Sequence, residues 1–286
     1  MKLLRAVTLL ILLVLALPCP AHTDLQLQID KLTHDLSSDP ANTDLLMKRG
    51  DLHRRHQDWG LAHDDFARVR QIDPGHPYID WFAGRLEVEA GEPQKGIALL
   101  DEFLKHKPQH VIALQNRAQG YLLLSQPLPA ANDYRAVIQH SKTPGPELYR
   151  ACASAYLAAG ETYYEQAMDI VRQGLMRIPG EISLTGLGTD ISLARADLDT
   201  AQTLIDSLPG PVMGLSQWKV RGALLDCLSG QNESAAKGFI GVINDTSQAR
   251  KTATLISPEW LQKLATKPTP ENCLAAQQYA LTMDGL

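Results

Sequence analysis

Ser38-Asp39-Pro40-Ala41-Asn42 returns in kind as Ile72-Asp73-Pro74-Gly75-His76 and again at Pro108, so that three prolines stand 34 residues apart. Pro144 and Pro179 follow after 36 and 35 residues. A proline pushes the residue before it out of the helical region, and the polar residues beside it favour the start of the next helix. The prolines therefore mark boundaries between units of near-constant length. A period of this size means stacked units, none of which can bury its apolar face alone.

Between these boundaries the same residue types recur in register. The first full unit has Leu46, Gly50, His53, Ala62, Phe66 and Pro74. Thirty-four residues on stand Asp80, Gly84, Glu87, Gly96, Leu100 and Pro108, and then Leu114, Ala118, Tyr121, Ala130 and Tyr134. A fourth unit keeps Tyr149, Ala153, Tyr156 and Gly160, then needs about two extra residues before Ala167 and Val171, with a long turn from Gly160 to Tyr164. The fifth is degenerate, carried by Ala194 to Ala201 and closing early at Pro209-Gly210-Pro211. The sixth is carried by Trp218 to Leu225, Gly230, Ala235 and Phe239.

This pattern resembles the tetratricopeptide repeat, and the resemblance covers roughly 41–243. Asp80 and Glu87 depart from it, standing where the family carries apolar residues. The resemblance implies an all-α, right-handed α-solenoid of about six helical hairpins, capped at both ends. Gly50, Gly84, Ala118 and Ala153 are small because paired helices approach closely only there; Phe66, Leu100 and Tyr134 then fill the space between successive hairpins.

The flanks read as a leader and as caps. Lys2 and Arg5, an apolar run of 12 residues from Ala6 to Leu17, Pro18 and the small Ala21 predict a secretory signal spanning 1–21, cut before His22. The run is shorter than the roughly 18 residues that span a bilayer. Membrane attachment would instead require lipidation of Cys19, which Pro18 fits poorly. The predicted localisation is therefore periplasmic or secreted. Leu25, Ile29, Leu32 and Leu36 form a helical stripe, an N-terminal cap over 22–40. The C-terminal segment, 244–286, begins with a polar connection from Asn244 to Thr252. Ser257-Pro258 and Thr269-Pro270 then open two helices, near Pro258 to Thr266 and Pro270 to Thr282.

Composition narrows the function. A net charge of −5 argues against nucleic-acid binding, which needs a basic surface. Cys152, Cys227 and Cys273 have no CxxC spacing. They read either as three buried thiols or as one disulfide, for which Cys227 and Cys273 are the pair if the C-terminal helix folds back over the last repeat. His53 and His56 sit three apart on a helix, but a third ligand and a neighbouring general base are missing, so no metal site is assigned. His106, His110 and His140 lie near predicted helix ends, where a cation meets the dipole or solvent. There is no GxSxG, no phosphate loop and no dinucleotide fingerprint; Gly186-Leu187-Gly188 sits in helical surroundings. Scattered Asp and Glu read as solvated helix faces. Neither an enzyme nor a cofactor is predicted.

Function should then lie in a surface. The family resemblance implies that the first helix of each hairpin lines an inner groove that binds a protein or peptide. It points there with Asp44, Met47, Asp51 and Arg54; Tyr78, Trp81, Arg85 and Val88; Ile112, Gln115, Gln119 and Leu122; and Glu147, Arg150, Ser154 and Leu157. Tyr, Trp and Arg dominate interface energetics, so Tyr78 and Trp81 are expected to form an apolar seat, with Arg54, Arg85 and Arg150 receiving carboxylates. The competing reading packs Trp81 between hairpins and leaves the arginines solvated. Met47 and Asp51 stand where carboxylate-clamp members of the family carry Lys and Asn. The functional expectation is a scaffold of the cell envelope; the alternatives are an envelope enzyme or its accessory subunit, and a tethered lipoprotein.

Overall fold

The structure, a computed structural model, describes residues 20–248 and 256–284. It is all-α: among the described residues there are sixteen α-helices, one short 3-10 turn and no strand. The chain divides between Pro108 and Gln109 into two compact units. In the first, α1 (Pro20–Ser38) precedes two hairpins, α2 (Thr43–His56) with α3 (Trp59–Ile72) and α4 (Ile79–Glu89) with α5 (Pro93–His106). The second opens with three hairpins: α6 (Val111–Leu123) with α7 (Pro127–His140), α8 (Pro146–Ala158) with α9 (Tyr164–Arg177), and α10 (Ile182–Ala194) with α11 (Leu198–Asp206). After the one-turn α12 (Gly210–Met213) come a fourth, α13 (Ser216–Leu228) with α14 (Asn232–Gln248), and then α15 (Pro258–Thr266) and α16 (Pro270–Asp284). Six hairpins result, and all five spacing prolines lie outside helices.

Small residues set the hairpin spacing. A Cβ added to Gly50 would stand 2.5 Å from the Phe66 ring, and one added to Gly96 would meet the Gly84 carbonyl oxygen at 2.7 Å. Gly84 and Gly96 thus bring α4 and α5 together backbone to backbone, a contact that no larger residue permits. Phe66 does more than expected: it covers Gly50 within its own hairpin and meets the edge of Phe82, at 6.0 Å between centroids, in the next. Within each unit second helices also pack on the following first helix, as α3 does on α4 and α7 on α8, so neighbouring hairpins of a unit support one another. The long turn of the fourth hairpin is a 3-10 turn, Glu161–Tyr163, entered through Gly160 at φ 113°, which only glycine adopts without strain.

The caps follow the sequence closely. α1 lies against α2, where a preceding second helix would lie. Ser257 accepts from the Trp260 N–H at 3.4 Å and Thr269 from the Asn272 N–H at 3.3 Å, opening α15 and α16 at the expected prolines. Two expectations change. The connection placed at Asn244 to Thr252 is helical as far as Gln248, where α14 ends, and its remaining residues fall outside the described ones. The expected leader also falls outside them, apart from Pro20 and Ala21, which begin α1. No described helix is long and apolar enough to cross a membrane.

Candidate functional site

First helices touch first helices, α2 on α4 in one unit and α8 on α10 on α13 in the other, and their shared side is the inner face. In the N-terminal unit this face opens into a cleft of about 720 Å³, floored by Met47, Leu52 and Phe82 and edged by Asp44, Asp51 and Tyr78. A second cleft of about 590 Å³ shares Asp51 and runs on to Arg54, Arg85 and Glu89. Asp44, Met47 and Asp51 thus line the first cleft, and Asp51 and Arg54 the second.

Their chemistry differs from expectation. Arg54 is only 4% exposed; its Nε donates to Asp51 at 2.9 Å and its Nη1 to Glu89. Arg85 donates to the other Glu89 oxygen at 3.0 Å and lies 4.0 Å from Asp51. Of the three arginines expected to hold a partner's carboxylates, Arg54 and Arg85 already hold two of the chain's own. An incoming carboxylate would have to displace them, losing charge-assisted hydrogen bonds. Trp81 lines neither cleft: its ring sits 4.7 Å from Phe82 and 6.0 Å from the buried Phe103 of α5, so it packs inside its own hairpin. Tyr78 touches this cluster at 6.1 Å from Phe103, yet remains 38% exposed at the cleft edge.

In the C-terminal unit the inner face changes along the chain. On α6, Ile112 and Leu122 are 44% and 39% exposed, with Gln119 exposed and Gln115 half-buried between them. On α8, Glu147 and Arg150 are exposed and Ser154 is half-buried, but Leu157 is buried, in one apolar cluster with Leu281. The cause is α16. It lies on α8, α10 and α13, all first helices, and presents to them Cys273, Ala276, Gln277, Ala280 and Leu281, at the three- and four-residue spacing of one helix face. Cys273 is bonded to Cys227 of α13, with Cα atoms 6.4 Å apart, so of the two readings of the cysteines the disulfide is the one found. Cys152 is free and buried, and burial pushes its thiol up to about 12.

Three ion pairs were missed by reading acidic residues as solvated. Arg49 binds Asp65 through two hydrogen bonds of 2.6 and 2.9 Å, and Arg117 binds Asp133 in the same way at 2.7 and 2.8 Å. Both pairs link the helices of one hairpin, and both carboxylates are buried. The signal was available: Arg49 and Asp65 directly precede Gly50 and Phe66, Arg117 and Asp133 directly precede Ala118 and Tyr134, and the unit between replaces both with Ala83 and Leu99. The third pair, Arg221 with Asp190 at 2.5 and 2.9 Å, joins α13 to α10, and the Gln277 amide nitrogen of α16 adds hydrogen bonds to the Asp190 carbonyl and carboxylate at 3.2 and 3.3 Å. Among the histidines, His110 is a correction: it caps the start of α6, its Nδ1 accepting from the Ala113 N–H at 3.1 Å, whereas His106 and His140 do sit in last turns. His53 and His56 converge on Asp58, at 3.6 and 2.8 Å, and no group of three metal-ligating residues occurs among the described residues.

Hairpins of this length, stacked through small residues with first helices inward, define a helical-repeat protein. The repeat is the tetratricopeptide fold, and solved structures agree. Pseudomonas aeruginosa PilF matches with a TM-score of 0.51 at 15% identity, over 80% of this chain and 99% of that one. YrrB, described as a tetratricopeptide protein with an unusual peptide-binding site, matches with a TM-score of 0.52 at 10% identity, over 65% of this chain and 94% of that one. No family model and no curated protein matches the sequence.

Proposed function

We propose that the chain is a non-enzymatic scaffold of the cell envelope that binds a polypeptide partner along the inner face of its N-terminal unit. One observation carries this reading: the cleft between α1, α2 and α4 has an apolar floor with charged residues at its edge, and no described helix of that unit covers it. Such a cleft fits the apolar stripe of an amphipathic helix, with Lys31, Lys48, Asp35 and Asp44 available to its polar flanks. The peptide-binding site of YrrB, on the same fold, supports a polypeptide ligand. The basic and apolar leader at Lys2 to Leu17 supports export, and a disulfide is in keeping with an oxidising compartment.

The test uses two exposed residues that line the cleft. Tyr78→Ala combined with Lys48→Glu should reduce partner capture from an envelope extract by tenfold or more while circular dichroism stays unchanged. Undiminished capture by the folded double variant would refute the placement.

A further inference from the structure

The inner face of α10 and α13 is a helix-binding surface whose occupant is already in place. α16 meets this face with small residues, Cys273, Ala276 and Ala280, and with the longer Gln277 and Leu281, all buried. It leans on first helices and only slightly on α15, so its seat is made like a ligand's, mainly on the inner face. The fit is incomplete: although its amide nitrogen bonds to Asp190, Gln277 Oε1 is buried without a hydrogen-bond partner. An orphaned buried acceptor keeps its desolvation penalty uncompensated, which weakens the hold of the seat on this helix. The covalent tie is Cys227–Cys273, at the amino-terminal end of α16.

We propose that α16 is an internal ligand clasped by this disulfide, and that opening the bond frees the surface to take, in trans, a helix bearing the same stripe of small residues. The opening step is ordinary exchange with a dithiol. Its thiolate attacks one cysteine sulfur and releases the other cysteine, its second thiol then displaces the attacked cysteine from the mixed disulfide, and the dithiol is oxidised to a cyclic disulfide while Cys227 and Cys273 become thiols. Two electrons and two protons pass to the chain. Both cysteines are buried, so exchange follows transient lifting of α16 and is slow while it is seated. Because α16 remains tethered through the short Lys267–Thr269 link, it competes as if at millimolar concentration, and a trans helix must be supplied accordingly.

Hydrogen exchange of the full chain, before and after dithiothreitol, reads the clasp directly. A clasp contributing about 2–4 kcal/mol corresponds to exchange in 270–284 that is about 30- to 1,000-fold faster after reduction. Amides of α8 and α10 should change less than threefold. Cys273→Ala, which keeps a small residue in the seat and removes only the bond, should behave like the reduced chain. A labelled peptide of residues 270–284 carrying Cys273→Ser, offered at millimolar concentration, should then bind the opened chain saturably and the oxidised chain not at all. Unchanged protection of α16, loss of protection in α8 and α10 in step with it, or an opened chain that takes no peptide would each overturn the proposal.

Discussion

The inner face of the N-terminal unit and that of the C-terminal unit are built from equivalent helices and differ in what lies on them. Across α2 and α4 the face opens into two clefts; across α10 and α13 the same kind of face carries α16. The difference does not come from the repeat, whose register runs through both. It comes from about thirty C-terminal residues outside the resemblance and from the disulfide that ties their Cys273 to Cys227 within it. A helical array presents a binding face by default, and whether that face is free is decided by what its flanks do.

The largest expected effect falls on the closed face. The disulfide closes a sequence separation of 46 residues, so Cys273→Ala should lower the stability of the C-terminal unit by about 2–4 kcal/mol and leave the N-terminal unit unchanged. Denaturant melts followed by probes in each unit separate the two; equal loss in both would erase the contrast. Next comes the ion pair that joins the hairpins beside α16. Asp190→Asn weakens charge-assisted bonds to a buried Arg221 and should cost the C-terminal unit about 1.5–3 kcal/mol. Asp65→Asn, whose partner Arg49 is partly exposed at 19%, should cost the N-terminal unit less.

Glycines sharpen the comparison further. Gly96→Ala drives a Cβ against the Gly84 backbone and should destabilise the N-terminal unit by about 1–3 kcal/mol. Gly222→Ala, mid-helix in α13 with nothing within 4 Å of an added Cβ, should stabilise the other unit by about 0.5–1 kcal/mol. The smallest effect is a count. With the leader removed, alkylation under native, unreduced conditions should find no reactive thiol, and unfolding without reduction should reveal one, Cys152. Three would show the bond absent.

The sequence made the architecture legible because proline spacing and small residues are local signals of helix ends and close approach. Pro40 to Pro179 located the hairpins, and Pro258 and Pro270 located the last two helices to within two residues. The site was less legible because its chemistry is pairwise and long-range. Nothing near Arg54 announces that Glu89, a full unit later, claims its guanidinium, and nothing local reveals that Trp81 turns toward Phe103. Gln277 lies 87 residues from the Asp190 it touches. A recurrence of Arg with Asp 16 residues on, in alternate units, is visible and is the one clue, from which two of the three pairs follow.

Photo-crosslinking compares the two faces most directly. A diazirine analogue of leucine at Leu281 and a photoreactive tyrosine analogue at Tyr78 are irradiated in the oxidised chain with its envelope extract. Leu281 should link within the chain to α8 or α10, and Tyr78 should link to a foreign polypeptide. Foreign adducts at Leu281, with none at Tyr78, would contradict an open face in the first unit and a covered one in the second.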